Sequence, residues 1–368
     1  MKDTILRKEE KAVFALRTLY ENFGYTQYRM SRFEEYDLYL ENKQFLAKGE
    51  IITFNDRDGK LLALKPDVTL SIVKNARAGE QLREYYNENV YRTVNGEYRE
   101  IMQVGLECIG DIDLYSTCEV LRLAKKSLEI ISDSAILDIT NAGFVNGLLA
   151  ETGLAENEQA QLSACIAQKN PHDLASLCST FGVSEELSAR LVKTASLYGS
   201  FAQVEKEAAA MVMNEEMQKA FDELRQIDEY FTAVGENGGL HVDFSLMNDM
   251  QYYNGIVFRG YVEGVPAGIL SGGRYDRLLG KMGKGSDMGA IGFAIYMNLL
   301  DLYFDDRLEY DVDILVTYDS GVDMAALSRT VDMLMGGGRT VRVQKQDNGK
   351  IRCRERFHFG ERGLEIRG

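Results

Sequence analysis

The sequence predicts an α+β protein, in which an antiparallel sheet flanked by helices is interrupted by a helical insertion and followed by a small α/β unit. Residues 85–91 and 98–109 alternate apolar and polar side chains on either side of a short turn at 93–97, the pattern of an antiparallel pair. Residues 147–238 instead carry Leu174, Leu177, Leu187, Leu191, Phe201 and Val204 at helical spacing. Residues 313–317 and 339–344 are short apolar runs around a helical stretch at 323–335, which reads as a βαβ unit with parallel strands. The domains expected are therefore 1–146 together with 239–303, then 147–238, then 311–368.

In chain order, residues 3–23 place Ile5, Val13, Leu16, Leu19 and Tyr20 on roughly one face of an amphipathic helix, with lysines and glutamates opposite. Residues 25–47 mix aromatics without a clear period and read as a strand followed by short helical turns. Residues 51–54 and 61–64, joined by Asn55-Asp56-Arg57-Asp58-Gly59, form a hairpin. It delivers Lys65-Pro66-Asp67-Val68-Thr69 to the head of a helix, where Asp67 or Thr69 can cap free amides. In the insertion, Asn170-Pro171-His172-Asp173 and Ser184-Glu185-Glu186 are helix starts, and 205–234 reads as one long or two shorter helices. Gly336 to Gly338 stop the helix of the βαβ unit. The last 19 residues are locally basic but interleaved with acids, which suits a pairing edge or a protein contact better than RNA.

Composition narrows the function. A chain of 368 residues, 45% hydrophobic, is long enough for two or three domains with cores of their own. No apolar run of about 18 residues is present and the N-terminus is charged, so a cytoplasmic protein without a membrane partner is expected. The five cysteines are scattered and never spaced C-x-x-C, which points to buried thiols rather than disulfides or a zinc site. His172 and His241 have no companions that would make them metal ligands. A formal net charge of -15 repels polyanions and argues against an extensive nucleic-acid surface.

Residues 239–301 carry the densest chemistry. Strands at 242–246 and 256–262 and a turn at 264–268 lead to a Gly-rich loop around Ser271, Gly272 and Gly273, then to a closing strand and helix. Glycines at 272, 273, 289 and 292 are placed to let backbone approach a ligand or take positive φ, and Tyr252, Tyr253 and Tyr275 offer flat walls tipped with hydroxyls. Upstream, alternation sets Gln103, Gly105 and Glu107 on one face of their strand and Val104, Leu106 and Cys108 on the other. A Gln and a Glu side by side on a covered face need polar partners, such as a zwitterion or an imidazole.

The stretches QYYNGIVF, SGGRYDRLLGKMG and MGAIGFAI, with LKPDVT at 64–69 and YRTVNGEYREIMQVGLECIG at 91–110, resemble the histidyl-tRNA synthetases, which are class II aminoacyl-tRNA synthetases. The resemblance covers most of 1–145 and 239–301. It implies a class II synthetase-like antiparallel sheet, a dimer, and a histidine site. In that site Asp67 and Thr69 meet the α-amino group and Arg92 the carboxylate. Gln103 and Tyr252 are further ligands, and Glu107 with Tyr253 meets the imidazole. Asp67 stands where the family usually has glutamate, one methylene longer.

The departures concern ATP. Val94 replaces a second-motif glutamate, and Glu97 stands where the family places a loop arginine. Asn248 and Leu299 replace two further arginines that meet the substrate and the phosphates. Adenylation develops negative charge on phosphorus and needs cationic clamps that these residues do not supply. The βαβ unit resembles the start of the synthetases' anticodon-binding domain, cut short. The chain therefore resembles the non-catalytic regulatory subunits of ATP phosphoribosyltransferase. The resemblance implies a short-form transferase catalytic subunit and L-histidine as partners, a homodimer within a hetero-oligomer, and no cofactor, metal or catalytic residue. The alternatives are a divergent working synthetase and a free-standing histidine sensor.

Overall fold

In the computed structural model, which describes residues 6–46, 51–77, 79–94, 96–246, 252–285, 287–301, 303–304 and 310–367, the amphipathic N-terminal stretch is helix α1 (Lys8–Asn22). It buries Ala12, Val13, Leu16 and Tyr20 along one face. The chain then adds a two-residue strand β1 (Thr26–Gln27), strand β2 (Phe33–Glu35) and helix α2 (Tyr36–Glu41). The expected hairpin is β3 (Thr53–Asn55) and β4 (Leu61–Leu64), and with β2 it makes a separate three-stranded sheet. Asp56 closes its turn by accepting the amides of Asp58 and Lys60 at 2.9 and 2.8 Å. Helix α3 (Thr69–Asn75) follows.

The long hairpin β5 (Leu82–Val94) and β6 (Glu97–Gly110) stays in register from Leu82↔Ile109 to Val94↔Glu97. Helix α4 (Leu114–Ile131), started by Asp113 accepting the Ser116 amide at 2.8 Å, leads to β7 (Ala135–Asn141). Helices α5 (Ala142–Ala150), α6 (Glu156–Ala167), α7 (Pro171–Thr180) and α8 (Glu185–Ser196) come next, then strand β8 (Tyr198–Gly199). Asn170 and Ser184 cap α7 and α8 as their positions imply. Residues 205–234 form two helices, α9 (Phe201–Met211) and α10 (Glu215–Ala233), because Asn214 starts a new one by accepting the Met217 amide. Strands β9 (Leu240–Asp243), β10 (Ile256–Val262) and β11 (Leu270–Arg274), helix α11 (Asp276–Lys281) and strand β12 (Gly289–Tyr296) complete this unit.

Nine of these strands form one sheet in the order β1-β5-β6-β12-β11-β10-β7-β9-β8, parallel only at β1/β5 and β7/β9. Its inner face, through Val104, Leu106 and Cys108, packs under α1 and α4. The helices between 147 and 238 share that core: Leu162, Leu174, Leu191, Phe201 and Phe231 belong to the same cluster. The chain divides into two compact units, Met1–Phe304 and Asp305–Gly368.

Two readings of the Gly-rich region are corrected. Residues 270–274 are not a loop but strand β11, hydrogen-bonded to β10 and β12. Its glycines answer to crowding across the sheet: a Cβ on Gly272 would lie 2.5 Å from the Gly292 carbonyl oxygen, and one on Gly273 2.5 Å from the Tyr253 ring. Gly272, Gly273, Gly289 and Gly292 do not take positive φ. The strand expected at 242–246 ends instead at Asp243, whose Oδ1 captures the Ser245 amide and hydroxyl at 2.9 and 2.6 Å and turns the chain.

The second unit holds β13 (Val312–Tyr318), α12 (Met324–Met335), β14 (Val341–Gln344), β15 (Cys353–Gly360) and β16 (Gly363–Arg367). β13 and β14 pair in parallel, as a βαβ unit requires, with Gly337 and Gly338 at φ 79° and 81° beyond α12. The basic tail is the β15/β16 hairpin, with β15 parallel to β13. The described residues contain no helix long and apolar enough to cross a membrane.

Candidate functional site

The polar face of the sheet opens on a cavity of about 1110 Å³. Strand alternation decides which side chains reach it. Glu107 pairs with Gly292, Gly105 with Ala294 and Gln103 with Tyr296, so all six share one face of β6 and β12. On β5, Tyr86 lies opposite Gly105 and points the same way. A Cβ on Gly105 would stand 2.6 Å from the Tyr86 ring, so the glycine lets that aromatic lie across the strand.

Glu107 is the centre of the site. It is 2% exposed, and each carboxylate oxygen accepts one hydroxyl: Thr69 Oγ1 donates to Oε1 at 2.7 Å and Tyr275 donates to Oε2 at 2.5 Å. Room for it comes from Gly292, where a Cβ would sit 1.8 Å from Oε2. Burial pushes the Glu107 carboxyl from 4.5 up to about 8; the Tyr275 and Thr69 hydroxyls pull the other way, and the charges of Asp67 and Glu84 add to the rise. Burial and the nearby Glu107 hold the Tyr275 phenol well above its ordinary range, which keeps it a donor.

Asp67 performs the capping role, accepting the Leu70 amide at 2.8 Å, and its carboxylate also lines the cavity. Burial raises its carboxyl, offset by the Leu70 amide, Arg92 and the Thr69 amide. Arg92 lines the cavity with its Nε fixed on the Pro66 carbonyl at 2.8 Å. Tyr252 packs edge-on to Tyr253, ring centroids 4.7 Å apart, and tilted against Tyr275 at 5.6 Å.

Asp67, Thr69, Arg92, Gln103, Glu107, Tyr252, Tyr253 and Tyr275 thus line a single cavity. Gly272 and Gly273 are not among its lining residues and serve the sheet instead. Thr69 differs from expectation in that its hydroxyl is engaged with Glu107. Several lining residues escaped the sequence reading: Tyr86, Arg277, Tyr296, Asn146 and a row along α6 that includes Glu156, Gln159 and Ser163. Tyr86 was recoverable, since it lies two residues from both Glu84 and Glu88 and so shares their face of the strand, opposite Gly105; the α6 row was not, because its partners are distant in the chain.

Of the positions expected to depart from the synthetases' ATP machinery, the described ones are not among the residues lining this cavity. Val94 and Glu97 are exposed at the end of the β5/β6 hairpin, where Glu97 pairs with Arg99. Leu299 packs against the apolar core. Asn248 lies outside the described residues. Among the described residues, no group of three or more His, Cys, Asp or Glu side chains is placed to hold a metal ion.

A buried carboxyl with a raised pKa leaves a mark on stability. Glu107 holds its proton in the folded chain up to about pH 8 but releases it near 4.5 when unfolded. Between those values the folded state binds more protons, so stability falls as pH rises through that window, by on the order of a few kcal/mol. Asp138, which burial and Asp243 push up to about 7, contributes with the same sign. Urea unfolding of wild type and Glu107→Gln from pH 5 to 9 isolates the Glu107 share: the variant is expected to show the shallower decline, and parallel curves would contradict it.

Residues 3–300 match the family model described as histidyl-tRNA synthetase. The ATP phosphoribosyltransferase regulatory subunit of Clostridium kluyveri is 32% identical over 308 residues, 80% of this chain and 78% of that protein. The crystal structure described as an ATP phosphoribosyltransferase regulatory subunit/histidyl-tRNA synthetase from Bacillus halodurans superposes with a TM-score of 0.74 at 24% identity, covering 94% of this chain and 89% of the other. An ATP phosphoribosyl transferase (HisG:HisZ) complex from Thermotoga maritima contains a chain matched with a TM-score of 0.63 at 18% identity, over 78% of this chain and 97% of that one. At those identities the two structures bear on the fold alone.

Proposed function

The chain belongs to the histidyl-tRNA synthetase family and, within it, to the ATP phosphoribosyltransferase regulatory subunits, and from that premise we propose that it serves a separate transferase catalytic subunit and holds free L-histidine in its cavity. It is the non-catalytic partner in the first step of histidine biosynthesis. The observation that carries the reading is the contrast between two sets of residues. The side chains suited to an amino acid with an imidazole share one cavity around Glu107. At the positions where the family clamps ATP phosphates stand Glu97, exposed and negative, and Leu299, half-buried against the apolar core.

In this reading Arg92 faces the α-carboxylate and Asp67 the α-amino group, while Glu107, oriented by Thr69 and Tyr275, faces the imidazole beside Tyr253. Glu107 takes on charge when an imidazolium pairs with it, since the cation offsets the burial that otherwise favours the neutral acid. Filling the cavity then biases the complex with the transferase, and feedback inhibition is a coupling free energy, reciprocal between histidine and the partner. A homodimer within that complex belongs to the same proposal. The strands around the site are hydrogen-bonded within the sheet, so any relay runs through the residues around Tyr252 and Tyr253 rather than through 270–274.

The isolated chain is expected to show no histidine-dependent exchange of pyrophosphate into ATP above background. The reading itself is tested by co-expression with a short-form transferase catalytic subunit. Co-purification is expected, with transferase activity that depends on this chain and falls when histidine is added. Exchange activity, or a transferase indifferent to this chain, would overturn it.

A further inference from the structure

Two features outside the predicted site meet at α6. Glu156, Gln159, Ala160, Ser163 and Ala167 all line the cavity, and steps of three and four place them on one stripe of the helix. One wall of the cavity is therefore a helix of the insertion. The end of that helix is unusual. Lys169 and Asn170 donate their amides to the Ile166 and Cys165 carbonyls at 2.9 and 3.1 Å, the double bond of a Schellman stop. Lys169 has φ 52°, and among the described residues it is the non-glycine residue in that conformation. Glycine or asparagine ordinarily takes that position, because a Cβ crowds the backbone there.

What the lysine adds is its ammonium. Nζ reaches Asp243 Oδ2 at 2.8 Å and stands 5.0 Å from the centre of the Tyr198 ring. Asp243 is 3% exposed and lies at the end of β9, nine residues before Tyr252 on another wall of the cavity. Beside it is Asp138, 5% exposed, whose Oδ1 has no hydrogen-bond partner. His241 Nδ1 lies 3.8 Å from that oxygen and 2.8 Å from the Tyr198 hydroxyl. Lys169 thus brings positive charge to two buried carboxylates that would otherwise repel each other.

We propose that Lys169 is a positioning residue for the ligand site: through Asp243 it holds α6 against the end of β9, so that docking of this helix and filling of the cavity are one coupled equilibrium. The inference rests on the reading of the cavity as a histidine site and extends that site to the insertion. A ligand that meets the α6 stripe binds the docked arrangement better and, by the same differential affinity, holds the helix in place. The strained backbone at Lys169 fits this role, because a glycine would serve the helix stop better and would make no link to β9.

That contrast supplies the test. Lys169→Gly keeps the stop, relieves the backbone strain and removes the ammonium, whereas Lys169→Met removes the ammonium and keeps the strain. In the full chain, both variants are expected to bind histidine about three- to tenfold more weakly by calorimetry, with α6 amides exchanging at least about tenfold faster and those of α4 unchanged. Lys169→Gly is expected to melt near wild type, which a purely structural role for the ion pair does not predict. Histidine added to wild type is expected to slow exchange in α6. If wild type binds histidine and Lys169→Gly binds it equally well, or if α6 exchange ignores histidine, this inference falls alone. If wild type binds no histidine, the reading of the cavity falls and the coupling with it.

Discussion

Glu107→Ala is expected to weaken histidine binding by about thirtyfold to several thousandfold, the effect of about 2 to 5 kcal/mol that follows from truncating one partner of a buried, hydrogen-bonded charge pair. The cause is specific to the geometry. Glu107 is 2% exposed and is aimed by Thr69 at 2.7 Å and Tyr275 at 2.5 Å, so no water-exposed alternative can replace it. The alanine variant also strands two buried hydroxyls, each an unmet donor costing about 1 to 3 kcal/mol. Glu107→Gln keeps the shape and one acceptor while removing the charge, and a loss of at least about tenfold is expected from it. Calorimetry on variants shown by circular dichroism to be folded decides the matter; binding by Glu107→Ala at wild-type strength would move the sensing site out of this cavity.

Gly292→Ala carries the second large effect, on stability. The added methyl would sit 1.8 Å from Glu107 Oε2 and 2.5 Å from the Leu106 carbonyl oxygen. A side chain can swing away, but the carbonyl belongs to the β6/β12 ladder and cannot. Overpacking a filled site costs about 1 to 3 kcal/mol, and pushing Glu107 off its two hydroxyls adds to it. A loss of about 3 kcal/mol or more is expected, seen as a drop of roughly 6 to 12 °C in melting temperature. Combining Gly292→Ala with Glu107→Ala is expected to recover part of that loss, because one of the two clashes disappears; strict additivity would show that the glycine and the carboxylate do not share space.

The sequence is most informative where local chemistry decides the outcome. Period-two alternation placed Gln103 and Glu107 on one face and Val104, Leu106 and Cys108 on the other, and the strand has that arrangement. Asn170 and Ser184 announce helices because a side-chain acceptor beside free amides is a local event. The glycines at 272 and 273 misled because glycine signals both turn and crowding, and the atoms that crowd them, on Phe293 and Tyr253, come from other parts of the chain. The α6 stripe was illegible for a related reason. Its Glu, Gln, Ala and Ser side chains look like a solvated helix face, and only the fold turns that face toward a cavity. Lys169 gives no helix-stop signal at all, since its conformation is one that lysine rarely adopts.

One of the two hydroxyls that hold Glu107 belongs to Tyr275, 168 residues further along the chain. At roughly 5 to 20 residues per second, a ribosome takes about 8 to 34 seconds to travel between them. During that interval β6 can pair with β5, but β12, which covers Glu107 from the other side, has not been made. The carboxylate waits in water, ionised. Only when β12 and Tyr275 arrive does burial drive it toward a pKa of about 8. Completion of the pocket on the nascent chain is therefore also the step at which Glu107 leaves water and its carboxyl comes to favour the protonated form.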